Sequence, residues 1–406
     1  MTSRQRMLCA LDRRVPDRLP VTTHHLMESY LREFFKGADS RGFFDALGLD
    51  AIDWVVAHRP GEAAGERCDP AQGKIGFLEA RRVVTDEWRI STEDLPGGEF
   101  RTQRFRFFTP GGELSMVLQS NEHTSWVAEH LIKDKRDIDL LGAFMPAPKC
   151  DVDAVNRAAD RFGERGIIRS HMCTFDVFGQ PGCWQDAACL VEIERLILET
   201  YDDPAWVHEF LGILQRRKLA YARSLKGARY DLIELGGGAA SSTVISPAIF
   251  DRFVAPYDEP VIAAAHAAGQ RIVYHTCGGM MPLLERIAAM GPDAMETFTP
   301  VGMGGDVNLA EAKRRIGGRV CMIGGFDQLH FFTGCTPEQT RAEVRRCFAE
   351  AGAGGGFILS PSDHFFDAEP DLLAAFADEA RLCRYHKEEE RASDGVGRTR
   401  ATSTND

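Results

Sequence analysis

From about residue 150 to residue 385, short apolar runs alternate with amphipathic helical stretches, and this alternation limits the possible folds more than any other feature of the chain. The runs are GIIRSHMC (166–173), DLIELG (231–236), RIVYHTCG (271–278), DAMETF (293–298), RVCMIGG (319–325) and GGFILSPS (355–362). The spacing predicts helices around 186–201, from Asp203-Pro204 to about Leu225, from Ser246-Pro247 to about Ala268, at 280–290 and 308–316, from Thr336-Pro337 onward, and over 370–384. Ser246-Pro247 and Thr336-Pro337 each place a capping hydroxyl before a proline at the first helical position. Repeated strand–helix units imply a parallel sheet with both faces covered.

An open doubly wound sheet that binds nucleotides would carry a glycine-rich phosphate loop, and neither G-x-G-x-x-G nor G-x-x-x-x-G-K-[ST] occurs. Instead, polar residues stand at the C-terminal end of strand after strand: His171, Glu234, His275 with Cys277, Glu296, Asp327, then Asp363 with His364. Distribution of reactive groups over many strand ends is the habit of a closed barrel. The expected fold is α/β, a (β/α)8 TIM-type barrel.

Residues 1 to about 60 read as helical with a charged start. From about 72 to 127 the chain alternates apolar and polar residues in Arg81–Val84, Glu87–Ser91, Glu99–Phe108 and Glu113–Gln119, separated by Pro96-Gly97-Gly98 and Pro110-Gly111-Gly112. That predicts an antiparallel meander inserted near the N-terminus, as a lid or side-sheet. One barrel over 1–385 is expected, followed by a tail over 387–406 whose largest apolar residue is Val396 and which is expected to be disordered.

Charge narrows the partners. Acidic residues outnumber basic ones 60 to 48, for a net charge of −12, and the basic pairs are scattered beside acids. Such a chain repels nucleic-acid backbones and anionic membranes. No apolar run nears the ~20 residues of a bilayer span, and MTSRQRMLCALDRR lacks a signal-peptide core. A soluble, cytoplasmic protein is expected. Its eleven cysteines form no C-x-x-C pair, so they read as reduced thiols, and any metal site must mix residue types from distant segments.

Six groups of residues carry possible chemistry. On a strand, residues i and i+2 face one side, so His275 and Cys277 point together at a strand end, and imidazole with thiolate is a zinc-binding pair. The alternative is a buried thiol beside a hydrogen-bonded histidine. His171 and Cys173 repeat the spacing without a glycine turn, and there the packing alternative is stronger. Glu234 lies in the apolar run Leu232-Ile233-Glu234-Leu235, where a carboxylate needs a partner: a metal, a base, or a structural salt bridge. Asp363 and His364 end the last strand as ligands or acid/base groups, with Phe365 and Phe366 as pocket wall; Asp367 reads as an N-capping acid. Asp327, after Gly324-Gly325-Phe326, can contact a substrate or simply sit in a tight turn. His24-His25 can reach a barrel mouth, although a helical surface position is the expectation.

Together these segments resemble the uroporphyrinogen decarboxylase superfamily, which includes cobalamin-dependent methyltransferases. The resemblance rests on Ser246-Pro247…Phe250…Phe253…Pro256, then Gly269…Val273…His275-x-Cys277-Gly278 and Leu283-Leu284…Gly291-x-Asp293, followed by Gly324-Gly325-Phe326-Asp327, Gly334-x-Thr336-Pro337-Glu338 and Gly355–Pro361. Ser125-Trp126…Glu129–Asp134 is similar to the stretch that leads into the family barrel. The arginine-rich stretch with which true uroporphyrinogen decarboxylases grip substrate carboxylates has no counterpart, since no arginine follows Arg18 until Arg32. The resemblance therefore implies the methyltransferase branch.

That branch binds Zn²⁺ through H-x-C…C. His275 and Cys277 match, while Asp363 or His364 stands where the last cysteine belongs. The implied metal set is His275, Cys277, Glu234 and His364, with Glu234, Asp363 and His364 as catalytic groups and His171, Asp327 and Phe365 as substrate contacts. The implied reaction moves a methyl group between a small-molecule donor or acceptor and a thiol or a cobalamin. No corrinoid-binding D-x-H-x-x-G motif occurs, so a partner corrinoid protein would deliver that cofactor. Two alternatives stand beside it: a carboxy-lyase acting on a small acid by proton transfer, and a non-catalytic barrel that binds a tetrapyrrole or corrinoid.

Overall fold

A computed structural model of the chain describes residues 1–62, 65–71, 81–172 and 178–385. Seven parallel strands lie side by side in the order Ala51–Trp54, Gly166–His171, Leu232–Gly236, Ile272–His275, Ala294–Thr297, Cys321–Phe326 and Phe357–Pro361. The last five are buried along their whole length, as expected where helices cover the outer face and side chains fill the inner one.

The first and last strands are joined through Pro20–Thr22. Leu359 N–H donates to Pro20 O at 2.9 Å and Thr22 N–H donates to Leu359 O at 2.9 Å, in parallel register. On the other side Asp50 N–H donates to Val21 O at 2.7 Å, and Val21 N–H donates to Asp50 Oδ2 at 3.0 Å. This short segment takes the eighth place in a TIM-type α/β barrel.

The N-terminal region departs from the all-helical expectation. Helices do form at Ser3–Leu11, Glu28–Phe34 and Ser40–Leu47, but the closing segment lies between the first two and the strand Ala51–Trp54 follows the third. Both strand pieces are too short to impose a period on the sequence. Elsewhere the helix signals hold. Ser246 Oγ accepts from Ile249 N–H, Asp203 Oδ1 from Trp206 N–H, and Thr336 forms a capping box with Gln339. The predicted 186–201 helix is two helices, Cys183–Val191 and Ile193–Asp202, because Glu192 turns to φ 94°.

The insert is a four-stranded antiparallel sheet of Arg89–Leu95, Arg101–Thr109, Gly112–Ser120 and Ser125–Glu129. Val83–Val84 pairs instead with Arg67–Cys68. Phe107, Leu114 and Met116 are buried on one face of the sheet, and the turn between its last two strands reaches the barrel mouth. Residues 72–80 of the expected insert, Cys173 and the tail from Lys387 lie outside the described residues. Among the described residues, no helix is long and apolar enough to cross a membrane.

Candidate functional site in the barrel mouth

Four neighbouring strands bring charge into the barrel. Register sets His171 beside Glu234, and His275 beside Glu296. Arg169, two residues before His171, faces the same interior. Its guanidinium binds Glu296 through Nη1–Oε2 at 3.1 Å and Nη2–Oε1 at 2.9 Å, and reaches Glu234 Oε2 at 3.2 Å. The guanidinium also lies 4.6 Å from the Trp54 ring centre. Three buried charges thus satisfy one another, which is what burial demands.

Imidazoles surround this core. His275 Nδ1 is 3.2 Å from Glu296 Oε1 and 3.9 Å from Glu234 Oε1. His171 Nδ1 is 3.7 Å from Glu234 Oε1, and His24 Nε2 is 3.6 Å from Glu234 Oε2. His25 stacks on Trp54 at 4.0 Å, and its ring parallels those of His171 and His364. Two groups of donor atoms converge to within 4.8 Å of one another: His24, Glu234, His275 and Glu296, and separately His25, His171 and Glu234. The first group is buried throughout and the second only at Glu234, and either has the ligand types and spacing to hold a metal ion.

Burial and neighbouring charges set the protonation of these groups. Burial raises the Glu234 carboxyl, and the like charge of Glu296 adds to this against the pull of His275 and Arg169. Burial would raise Glu296 too, but Arg169 and His275 outweigh it and hold it low. Burial lowers His24 and His25, and lowers His171 to about 3, with Arg169 acting in the same direction. Burial would also lower His275, yet Glu234 and hydrogen bonds to Cys277 and Glu296 lift it well above the usual histidine range.

The cluster forms the inner end of a cavity of about 740 Å³. Gly236, at φ +100°, ends the Glu234 strand where a Cβ would lie 2.5 Å from His275 O, and a Cβ on Gly238 would lie 2.5 Å from Cys277 Sγ. Glycine at both places lets the two strand ends meet. The turn of the inserted sheet, Asn121 to Ser125, supplies part of the outer wall. His123 of this turn contacts the Phe366 ring and Ser29 Oγ.

The structure gathers some of the residues expected from sequence and not others. Glu234 and His275 belong to a convergent group, and His171, expected as a substrate contact, lines the cavity and belongs to the second group. Cys277 and His364 line the cavity but belong to neither convergent group. Asp363 Oδ1 accepts from His364 N–H and lies 2.8 Å from His364 Nδ1, at the cavity rim. Asp327 is turned away: it caps the helix Gln328–Phe331, pairs with His330 and lines a separate cavity. Phe365 packs edge-on against Tyr30 and Phe332, away from the main cavity. Asp367 does not cap the last helix, whose N-cap is Glu369.

The helical surface position expected for His24-His25 is corrected. Thr22, bonded to Leu359, carries the chain across the mouth, so both residues lie on a non-helical segment that lines the cavity. Arg169 and Glu296 also went unassigned to the site. The argument that a charge in an apolar strand needs a partner applies to both, in Ile167-Ile168-Arg169 and Met295-Glu296, as it does to Glu234.

Comparison with known proteins fits this architecture. A methyltransferase from Methanosarcina mazei superposes with a TM-score of 0.55 at 16% identity, over 94% of this chain and 98% of that one, a likeness of fold. Uroporphyrinogen decarboxylases are similar in sequence. That of Neisseria meningitidis is 31% identical over 168 residues, 39% of this chain and 43% of its own length. That of Nocardia farcinica is 30% identical over 193 residues, 46% and 51%, so the matches span about half of these two relatives. That of Thioalkalivibrio sulfidiphilus is 27% identical over 266 residues, 62% and 70%. The family model for uroporphyrinogen decarboxylase (URO-D) matches residues 166–382, more than half of the 406 residues and the stretch that supplies six of the seven long parallel strands. The chain belongs to the uroporphyrinogen decarboxylase family.

Proposed function

We propose that the barrel mouth is the catalytic pocket of a metal-assisted methyltransferase, which moves a methyl group between a small molecule and a thiol or a corrinoid carried by a partner protein. One observation carries the reading: imidazoles converge with Glu234 at the inner end of a cavity lined, among the described residues, by a single arginine, Arg32. A polycarboxylate substrate would meet Glu28, Glu122 and Asp363 there with little to balance its charge. The fold likeness to a methyltransferase supports the same branch.

The donors fit the zinc that the family resemblance implies. Zinc accepts imidazole nitrogen and carboxylate oxygen, and the residues that would hold it are the histidines converging on Glu234. When bound, such a metal supplies Lewis-acid stabilisation of a substrate thiolate or alkoxide. The chain's own part is orientation and proton handling. Arg169 fixes Glu234 Oε2, leaving Oε1 toward the imidazoles. The Asp363–His364 pair can take or give a proton at the rim. The turn from Asn121 to Ser125 narrows access of water.

A second reading, a carboxy-lyase acting on a small acid, is favoured by the raised pKa of the buried Glu234, which would keep it protonated as a general acid. The test incubates the protein with methylated small molecules and free cobalamin or thiol, and separately with small carboxylic acids. Methyl transfer that stops on chelation and in Glu234→Gln supports the proposal. Release of carbon dioxide that survives chelation overturns it in favour of the lyase.

A further inference from the structure

We infer that the metal seat of this barrel is His25, His171 and Glu234 Oε1, on the cavity side of the imidazole cluster, rather than the H-x-C pair or the deeper donors around Glu296. The inference rests on the metal-assisted reading above and specifies which donors bind.

Arg169 decides between the two convergent groups. Its guanidinium already holds both oxygens of Glu296 and Oε2 of Glu234, with the arginine side chain 1% exposed. A dication among His24, His275, Glu296 and Glu234 would displace or confront this fixed positive charge. Of these four, Glu296 alone does not line the cavity, so a metal that used it would draw on a donor set back from the substrate space. The deeper group is complete as an ion-pair network.

His25, His171 and Glu234 all line the cavity. His171 and Glu234 are register partners on adjacent strands, so their side chains leave the sheet side by side. His171 Nδ1 stands 3.7 Å from Glu234 Oε1, beyond hydrogen-bond distance. Donors at ~2.1 Å from a tetrahedral metal are about 3.4 Å apart, so a small closing movement would seat an ion between them. Trp54 holds both imidazoles in place, with ring centres 4.0 Å from His25 and 4.6 Å from His171. Two imidazoles and one carboxylate with the remaining positions open is the ligand pattern of a catalytic zinc or related first-row ion. Cys277 is outside it, its sulfur packed where a Cβ on Gly238 would stand.

Cobalt(II) titrated into metal-free full-length protein tests this, because a thiolate ligand adds an intense sulfur-to-cobalt charge-transfer band and imidazole and carboxylate do not. The expected result is about one cobalt per chain, no sulfur band, and binding weakened more than ~10-fold in both His171→Ala and His25→Gln, with Cys277→Ser unchanged. Circular dichroism of each variant separates lost ligation from lost folding. A sulfur band that vanishes in Cys277→Ser would place the metal on the H-x-C pair. Weakening in His24→Ala alone would place it in the deeper group. Either result overturns the inference and leaves metal assistance standing, whereas a wild-type protein that binds no cobalt and no zinc overturns both.

Discussion

Arg169 grips Glu296 through two parallel hydrogen bonds, with the arginine side chain 1% exposed and the glutamate 2%. The pair joins two strands that are not neighbours in the barrel, crossing its interior. Removing Arg169 leaves two buried carboxylates, Glu234 and Glu296, with only neighbouring imidazoles to balance them. Arg169→Met should therefore destabilise the protein by about 3–5 kcal/mol, and the double variant Arg169→Met/Glu296→Gln should recover part of the loss. Urea denaturation measures both; equal stability of Arg169→Met and wild type would show that the pair contributes nothing net.

The barrel and most of this charge cluster are legible in the sequence for one physical reason. Strands buried on both faces are nearly all apolar, so Glu234 and His275 stand out against Ile233 and Val273. Arg169 and Glu296 stand out equally and follow from the same argument. His24 and His25 do not, because they depend on Pro20–Thr22, three residues with no period, whose place is set by hydrogen bonds to Leu359 at the far end of the chain. Asp327 misleads for a related reason: a strand-end carboxylate in sequence can be a helix cap in space.

Closure of the barrel gives a second prediction. Asp50 is 1% exposed, and its carboxylate accepts from Arg6 Nη1 at 2.7 Å, from Arg18 at 3.2 and 3.3 Å, and from Val21 N–H at 3.0 Å. Asp50→Ala removes all four bonds and leaves the half-buried Arg18 with the Leu19 carbonyl but no carboxylate beside it, for an expected loss of about 3 kcal/mol or more. Asp50→Asn keeps an acceptor for Val21 and should lose less. A chemical denaturation series that ranks the two variants the other way would reject this role.

Acid should weaken the same end of the molecule. Burial would raise the Asp17 carboxyl, but hydrogen bonds from Arg6 at 2.7 and 2.9 Å outweigh it and bring it down to about 2. A carboxyl lower in the folded than in the unfolded chain stabilises fully above its ordinary value near 4, and this contribution is lost as pH falls toward about 2. With a third of the side chain in solvent, the contribution is about 1–2 kcal/mol. Asp17→Asn should thus reduce stability at pH 7 and converge with wild type near pH 2. A constant difference between the two proteins across that range would rule out the linkage.

The barrel should unfold as one unit that includes its N-terminal segment. Leu19 N–H donates to Cys383 O at 3.0 Å, Tyr30 Oη donates to Ala368 O at 2.7 Å, and Arg381 Nη1 donates to Leu47 O at 2.6 Å. Together with the bonds from Leu359 N–H to Pro20 O and from Thr22 N–H to Leu359 O, these tie the first fifty residues to the last strand and helix. Each half of the chain therefore lacks strands that the other supplies, and an open parallel sheet with an unpaired edge is a poor folding unit. A single calorimetric transition is expected, with no protease-resistant fragment ending near about residue 150. Accumulation of such a fragment, folded by circular dichroism, would mean that the N-terminal region and insert form a separate domain docked on an incomplete barrel.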